Sequence, residues 1–418
     1  MSLAEWLTYL ETLHPAEIEL GLERVSAVAD KLNLDFSSTT VITVAGTNGK
    51  GSTSSFLESL LLSAGKRTGR YSSPHLLQYN ERISINGSNI DDSSLCQAFS
   101  RIEKARENTS LTYFEFGTLA ALLIFAETKL DYIILEVGLG GRLDAVNIID
   151  ADLAIITNIA LDHTEWLGET REKIAFEKAG VIRQDKPVIF GEKNIPESLI
   201  TRVKHLHAQL YLLGREFDWH NSDKHWVWQG RDSDYKQYSL EVKVDSPSLF
   251  NFFPSNAALA MQAMLLLGFE TSGENLAIGL GQAKLAGRFQ IFDRGYPLVL
   301  DVAHNPHAAE HLAESMKRYF PLKTVRIVIA MLSDKDIGQT LRRLQEISCS
   351  WYVASLENSR GSQAKILYNE LQISAHNTVS EFRSVREAFH KAEQDMQANE
   401  VLLVTGSFYT VAAVLELI

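Results

Sequence analysis

Cysteine is nearly absent from this 418-residue chain, because only Cys96 and Cys349 occur, far apart and without the spacing of a metal site. They are expected to be free thiols of a cytoplasmic protein. The sequence also lacks any run that approaches the roughly 20 apolar residues needed to span a bilayer. Its amino terminus has neither the basic start nor the apolar run of a signal peptide. We therefore expect a cytoplasmic location and no membrane partner.

An excess of positive charge is lacking as well, since 40 Lys and Arg residues stand against 52 Asp and Glu residues, for a formal charge of −12. A nucleic-acid partner is not expected, because binding to a phosphate backbone needs a basic face. A small anionic substrate remains compatible with the sequence, since local lysines and arginines can oppose the overall sign. The chain has no low-complexity segment, and its length favours two domains.

A glycine-rich turn joins a β-branched strand to a helix within residues 41–62. Three glycines allow backbone N–H groups to surround a polyphosphate, Lys50 adds a point charge, and the helix directs its positive end at the anion. The match to G-x-x-x-x-G-K-[ST] is imperfect, because Val44 takes the first glycine position and Gly51 follows the lysine. The turn nevertheless predicts a nucleoside triphosphate site. Its contacts are expected from Thr47, Asn48, Gly49, Lys50, Gly51 and Ser52.

Strand-like and helical runs alternate through most of the chain. The predicted strands are residues 41–45, 132–136, 153–157, 187–190, 298–301, 326–330, 351–355 and 401–405, with an antiparallel meander at 219–244. This pattern predicts an α/β fold: an N-terminal P-loop ATPase domain with a mostly parallel sheet, and a smaller C-terminal Rossmann-like α/β domain. A small-residue stretch at 285–287 indicates a boundary, which gives domains of residues 1–286 and 287–418.

Glu136 ends an apolar strand and is followed by three glycines within five residues. A carboxylate there can meet Mg²⁺, which prefers oxygen ligands and is commonly shared with substrate phosphates. The alternatives are a helix cap or a structural ion pair. We favour magnesium, because the same sheet edge should hold the phosphate loop.

Several segments resemble, in the same order along the chain, the Mur ligase superfamily and, within it, the folylpolyglutamate synthases. They are AGTNGKGS (45–52), YSSPHL (71–76), NERI (80–83), LTYFE (111–115), LEVGLGGRLDA (135–145), LDHT (161–164) and DVAHNP (301–306). The likeness spans nearly the whole chain and is greatest to the bacterial members that have two activities.

This resemblance implies two Mg²⁺ ions, the first bound by Ser73 and Glu136 and the second near His163. It also implies that Lys178 is carbamylated by CO₂ and so becomes an anionic oxygen ligand, which requires a lowered lysine pKa. Judged from the residues alone, Ser73 is a turn serine before a proline, His163 is a hydrogen-bonded core residue, and Lys178 is a solvated helix lysine.

Three distant residues match family positions that contact ATP. Asn256 is expected at the adenine edge, Arg288 at the phosphates and Asp301 at the ribose, although each alone would be an ordinary surface or turn residue. His304 and Asn305 are expected to line the cleft, without a definite role.

The resemblance further implies a folate or pteroate pocket. The residues implied are Glu19, Leu20, Gly21, Thr112, Tyr113, Phe114, Glu115, Leu143, Asp144 and Ala145. Residues 111–115 offer an aromatic plane for stacking and polar groups for a pterin, and the alternative for them is a buried helix start.

The implied activity is that of an ATP-dependent ligase. ATP would phosphorylate a carboxylate of the folate substrate, and the amino group of L-glutamate would attack the acyl phosphate. The expected substrates are 7,8-dihydropteroate, which gives dihydrofolate, and tetrahydrofolates, which give polyglutamates, with the protein acting as a monomer.

Three alternatives stay open. One is a folylpolyglutamate synthase with a single activity. Another is a Mur-type ligase of peptidoglycan precursors, for which the residues before the loop are too few to form a further domain of about 100 residues. A GTPase-type switch is the third, and the guanine signature N-K-x-D is missing.

Overall fold

The computed structural model describes residues 1–16, 18–222, 225–243, 254–270, 274–283, 285–372 and 378–418. The chain forms two compact units, Met1–Lys284 and Leu285–Ile418. Within the described ranges, no helix has both the length and the apolar character needed to cross a membrane.

A large, mostly parallel sheet organises the first unit. Its strands are β1 (Thr40–Ala45), β2 (Thr68–Tyr71), β3 (Ile83–Ile85), β4 (Ser88–Asn89), β5 (Tyr132–Glu136), β6 (Leu153–Ile156), β7 (Pro187–Phe190) and β8 (Gln209–Leu212). The strand order is β4-β3-β2-β5-β1-β6-β7-β8, and only the β2–β3 and β3–β4 pairs are antiparallel. Strands β1 and β5 are buried in every residue but the first, because helices cover both faces of the sheet.

The helices of the first unit form a layer on each face. They are α1 (Leu3–Thr12), α2 (Glu23–Leu32), α3 (Lys50–Ser63), α4 (Asp92–Arg106), α5 (Tyr113–Glu127), α6 (Thr164–Leu167), α7 (Arg171–Lys178), α8 (Glu197–His205), α9 (Pro254–Leu266) and α10 (Glu274–Gln282). Alternate residues of β5 divide between two apolar clusters, because successive side chains of a strand point to opposite faces. Ile133 lies in the cluster with α1, α2, α4 and α5, whereas Ile134 lies in the cluster with α3, α9 and α10.

A three-stranded antiparallel sheet follows in the chain, as predicted for residues 219–244. Its strands are β9 (Phe217–Ser222), β10 (His225–Arg231) and β11 (Gln237–Lys243), in the order β11-β10-β9. Trp226 and Trp228, two residues apart on β10, are fully buried in the same apolar cluster as α9. Residues 223, 224 and 244 of the predicted meander lie outside the described residues.

The second unit is a smaller α/β structure. Its strands are β12 (Gln290–Asp293), β13 (Pro297–Leu300), β14 (Thr324–Ile329), β15 (Ser348–Ala354), β16 (Thr378–Phe382) and β17 (Glu400–Thr405). Its helices are α11 (Pro306–Tyr319), α12 (Ile337–Gln345), α13 (Ala364–Gln372), α14 (Val385–Gln394) and α15 (Phe408–Leu415). The strand order is β12-β13-β17-β14-β15-β16, and every pair except β12–β13 is parallel. The predicted α/β fold class is confirmed.

Candidate active site

The carboxyl ends of neighbouring parallel strands bring several predicted site residues to one edge of the large sheet. Glu136 is the last residue of β5 and pairs with Val44 of β1, just before the phosphate loop. Ser73 lies two residues beyond β2, and β2 pairs with the edge of β5 that faces away from β1. Residues 157–163 follow β6, the second neighbour of β1. Open α/β sheets bind ligands at such an edge.

Two glycines of the phosphate loop adopt conformations that a side chain would disturb. Gly46 has φ 146° and Gly49 has φ 82°. A Cβ atom on Gly46 would lie 1.8 Å from Oγ1 of Thr157, and one on Gly49 would lie 2.7 Å from Oδ1 of Asn256. The loop therefore requires glycine at both positions. The second contact also places Asn256, in the first turn of α9, against the loop.

Two residues that sequence reasoning missed hold the loop in place. Asn158 accepts from the backbone N–H of Asn48 through Oδ1 at 2.9 Å and donates through Nδ2 to the Asn48 carbonyl at 2.8 Å. The Thr157 hydroxyl donates to the same carbonyl at 2.6 Å. The signal that could have found them is their position directly after β6, beside the strand that leads into the loop.

A polar recess at this edge unites residues from four segments. It is lined by Gly46, Thr47, Lys50, Gly138, Leu139, Gly140, Asp162, His163, Leu167 and Lys178. The phosphate loop, the glycine run after Glu136, His163 and Lys178 are thus neighbours. Asp162 is a further polar group there, to which the sequence interpretation gave no role.

Lys178 is buried. The local sequence had instead indicated a solvated lysine on a helix. Its side chain is 4% exposed, and Nζ donates to the Gly46 carbonyl at 2.9 Å. Burial, followed by the positive charge of Lys50, lowers the pKa of Lys178 to about 7. An amine with this pKa is substantially unprotonated at neutral pH, which is the form that can react with CO₂.

Lys50 brings a second amine to the same carbonyl group. Its Nζ donates to Gly46 O at 3.1 Å and to Thr47 O at 3.3 Å. The loop also lies at the amino terminus of α3, a helix of 14 residues. The Lys50 amine and the positive end of a helix dipole make this position attractive to a polyanion.

Two of the three predicted metal ligands, Ser73 and Glu136, are oxygen donors that suit magnesium. Glu136 is a carboxylate only 3% exposed, and Ser73 is half-buried at the same sheet edge. His163 has φ 51° and its backbone N–H donates to Oδ1 of Asp162 at 2.9 Å. No three His, Cys, Asp or Glu side chains converge on a metal position in the part of the chain that the structure describes. Magnesium commonly binds through one or two carboxylates and completes its shell with substrate phosphates and water, so this donor set fits it.

Asp144 orders the loop that follows Glu136. Its two carboxylate oxygens accept from the backbone N–H groups of Leu139 at 2.8 Å and Val146 at 3.1 Å. Burial raises the pKa of Asp144 to about 6. Ala145 is buried at the start of a short 3₁₀ helix, Ala145–Ile148, and Leu143 is half-buried.

The segments predicted to bind pteroate are linked to one another. Arg24 donates to the Glu19 carbonyl at 3.1 Å and to Oε1 of Glu115 at 3.0 Å, which joins residues 19–21 to the start of α5. Phe114 lies against Gly138, and Tyr113 makes an edge contact with the ring of Tyr79, with centroids 5.6 Å apart. Tyr113 and Phe114 are half-buried.

Thr112 and Glu115 form the capping box of α5, so the alternative of a buried helix start describes what their side chains do. The Thr112 hydroxyl accepts from the N–H of Glu115 at 3.2 Å, and the Glu115 carboxylate accepts from the N–H of Thr112 at 2.7 Å. Such a pair satisfies two N–H groups that the helix leaves unpaired.

We expect Thr112→Ala to lower the free energy of unfolding by about 1 kcal/mol, since alanine cannot cap the helix. Urea unfolding followed by circular dichroism measures this change. Thr112→Ser is the matched control, because it keeps the capping hydroxyl and should stay close to the wild type. Equal stability of all three proteins would show that the cap contributes nothing.

In the second unit, four predicted residues lie at the carboxyl end of β13. The Asp301 carboxylate accepts from the N–H groups of Phe289 and Ala303, both at 2.8 Å, and burial raises its pKa. The Arg288 guanidinium lies 4.9 Å from the centre of the Phe408 ring, and its charge opposes that rise.

The other two residues lead from β13 into the next helix. His304 has Nδ1 2.8 Å from the Val302 carbonyl, and Asn305 caps α11 by accepting from the Ala308 N–H at 2.9 Å. This capping role is sufficient to explain an asparagine at position 305, and it requires no contact with a ligand.

Comparisons with known proteins agree with this geometry. The family described as "Mur ligase middle domain" matches residues 44–264, and "Mur ligase, glutamate ligase domain" matches residues 287–408. A dihydrofolate synthase/folylpolyglutamate synthase of Escherichia coli (strain K12) is 45% identical over 416 residues, which are 100% of this chain and 95% of that protein.

Two solved structures are also similar over the full length. E. coli FolC in complex with DHPP and ADP has a TM-score of 0.93 at 44% identity and covers 100% of this chain and 97% of its own. A bifunctional folylpolyglutamate synthase/dihydrofolate synthase with Mn, AMPPNP and L-glutamate bound has a TM-score of 0.90 at 45% identity, with coverages of 100% and 98%. The chain therefore belongs to the Mur ligase family, within the group of dihydrofolate synthase/folylpolyglutamate synthases.

Proposed function

We propose that this protein is an ATP-dependent ligase that adds L-glutamate to 7,8-dihydropteroate, giving dihydrofolate, and to tetrahydrofolates, giving polyglutamates. The observation that carries the proposal is the 45% identity, over the whole chain, to a relative named for both activities. The glycine-rich loop, with the Lys50 amine at its carbonyl groups and the amino terminus of α3 behind it, supports the proposal independently, because a triphosphate binds at such a position.

The nucleotide binds at the loop between β1 and α3. The proposed contacts are Thr47, Asn48, Gly49, Lys50, Gly51, Ser52 and Asn256 in the first unit, and Arg288 and Asp301 in the second. The contact of Asn256 with Gly49 supports its place near the nucleotide. Similar structures hold ADP or AMPPNP, which are an adenine nucleotide product and a triphosphate analogue.

Ser73 and Glu136 would hold one Mg²⁺, and His163 with carbamylated Lys178 would hold a second. Bound there, the metal neutralises negative charge on the phosphoryl group in transfer. Two features support the assignment: the buried carboxylate of Glu136, and a Lys178 pKa low enough for an unprotonated amine.

The reaction proceeds in two steps. A carboxylate oxygen of the folate substrate attacks the γ-phosphorus of ATP, and ADP leaves with the electron pair of the broken P–O bond. The amino group of L-glutamate then attacks the acyl carbon, phosphate leaves, and the amine loses a proton as the amide forms. Lys50 and the amino terminus of α3 stabilise the negative charge that develops on the transferring group.

The pteroate is proposed to bind beside Tyr113 and Phe114. Phe114 lies against Gly138 of the glycine run after Glu136, and Arg24 links Glu115, the next residue, to the Glu19 carbonyl. The two rings offer an apolar plane near the sheet edge, where the carboxylate must reach the nucleotide. The monomeric state and the cytoplasmic location stay predictions.

ATP-dependent incorporation of labelled L-glutamate tests this function, with dihydropteroate, tetrahydrofolate and a UDP-muramoyl peptide as parallel acceptors. We expect incorporation into the first two and mutual competition between them, because one nucleotide site serves both. Omission of ATP is the control and should abolish the signal. Extension of tetrahydrofolate alone would indicate a single-activity synthase, and labelling of the muramoyl peptide would indicate a peptidoglycan ligase.

A further inference from the structure

Two histidines form a close pair on the first turns of α11. His307 and His311 are four residues apart, so both project from one face of the helix. Their ring centroids are 4.6 Å apart with planes at 81°, and the two Nε2 atoms are 3.3 Å apart. No step proposed above uses either side chain.

The separation of the two Nε2 atoms is the one that a shared metal ion requires. Zinc binds imidazole nitrogen at about 2.0–2.1 Å in tetrahedral geometry, which places two ligand nitrogens about 3.3–3.4 Å apart. A hydrogen bond between two neutral imidazoles is the competing explanation, and it would account for the distance without a metal. The two explanations differ in whether a metal can replace the shared proton.

The neutral ring of His307 and the carboxylate of Glu314 beside His311 both favour binding of a metal cation. Burial, followed by the charge of His311, lowers the pKa of His307 to about 4, so the ring is neutral at pH 7, as a metal ligand must be. Nδ1 of His311 lies 3.7 Å from Oε2 of Glu314, which is too long for a hydrogen bond but places a negative charge beside the ring. Glu310 also interacts with His307, but its carboxylate is paired with Arg343 at 3.1 Å. Glu314 therefore supplies the negative charge that acts against the positive end of α11 beside His311.

We propose that His307 and His311 form a bidentate site for a transition-metal dication of the Zn²⁺, Ni²⁺ or Cu²⁺ type. Imidazole is a ligand that these ions favour, whereas Mg²⁺ prefers oxygen, so a pair of imidazoles differs in chemistry from the hydroxyl and carboxylate of Ser73 and Glu136. Among the described side chains, no third His, Cys, Asp or Glu completes a cluster. We therefore expect the site to bind more weakly than a structural zinc site with four protein ligands.

Zinc titration of the full chain tests the site. The protein is prepared without a histidine tag, stripped of metal with a chelator, and kept in excess Mg²⁺. A chromophoric chelator then competes with the protein for Zn²⁺, and its absorbance reports how much Zn²⁺ the protein binds. We expect the wild type to bind about one equivalent of Zn²⁺ and the His311→Gln variant to lose this binding. The affinity should fall at least about tenfold, since the loss of even an outer-shell partner commonly costs that much.

His390 supplies a matched control on α14. It is exposed like His311, and its Nδ1 lies 3.6 Å from Glu393, but among the described residues no second histidine is paired with its ring. His390→Gln should leave zinc binding unchanged, and circular dichroism should show the wild-type fold for both variants. The proposal is wrong if the wild type binds no zinc, or if His311→Gln binds it as tightly as the wild type.

Chemical modification gives a second measurement on the unaltered protein. Diethylpyrocarbonate acylates accessible histidines, and peptide mass spectrometry locates the products. Zn²⁺ should protect His311 and leave His390 reactive. Equal modification of His311 with and without Zn²⁺ would mean that the rings are only hydrogen-bonded to each other.

Discussion

Lys50→Ala is expected to abolish ATP-dependent glutamate incorporation into both folate substrates while leaving the fold intact. The Lys50 amine lies at the Gly46 and Thr47 carbonyls, where the triphosphate is proposed to bind. Removal of a preorganised electrostatic group from a reacting centre commonly costs about 10²–10³-fold in rate. The side chain is half-buried and belongs to neither apolar cluster, so the melting temperature should change little. Both activities should fall together, because one loop serves both.

Two further variants make this result specific. Lys50→Met keeps the aliphatic stem and should be as inactive as the alanine variant, since only the charge is missing. Lys31→Ala removes an exposed lysine that pairs with Glu107 and should retain full activity. Initial rates with each folate, and calorimetric melting of every variant, are the measurements. Product formation near the wild-type rate by Lys50→Met would refute the assignment of the phosphate loop.

Lys178→Ala is expected to be nearly inactive and partly restored by formate or acetate. The reason is that a small carboxylate can occupy the vacated space and replace the carbamate oxygens. Lys178→Met fills that space and should not be restored. Lys173→Ala, on the exposed side of the same helix, should behave like the wild type.

The pH dependence of Lys178 follows from its pKa of about 7, compared with 10.5 for an ordinary lysine. Carbamate forms on the unprotonated amine, so CO₂-dependent activity should rise as the pH increases through 7. Between about pH 7 and 10.5 the unfolded chain binds the proton that the unmodified folded protein has released, so this lysine makes stability increase with pH. Electron density beyond Nζ would show the carbamate directly. Bare lysine density together with full activity of Lys178→Ala would exclude the modification.

Several apolar strands could be predicted from the sequence to within a few residues. Residues 132–136 and 187–190 match β5 and β7, because short apolar runs between polar turns have few other ways to be buried. Strands such as β2, β4 and β12 were not predicted. They have two to four residues with little apolar pattern, and their pairing depends on neighbours that are distant in sequence.

The capping pattern at the start of α5 shows a different limit. The sequence offered two readings of residues 111–115, a pterin contact or a buried helix start. The structure shows that the side chains of Thr112 and Glu115 bond to each other's backbone N–H groups. A buried helix start was the alternative for these residues, and the 3% exposure of both Thr112 and Glu115 agrees with it, but the capping hydrogen bonds were not predicted.

By itself, the sequence determined the α/β class, the phosphate loop and the family, because strand-turn-helix spacing and glycine positions are local properties of the chain. Only the tertiary structure decided how the loop is held and how its charges behave. Thr157 and Asn158 reach the Asn48 carbonyl across 109 and 110 residues. The packing of α7 against the loop buries Lys178 at Gly46, 132 residues away. A pKa depends on which groups share a low-dielectric space, and that is fixed only when distant segments come together.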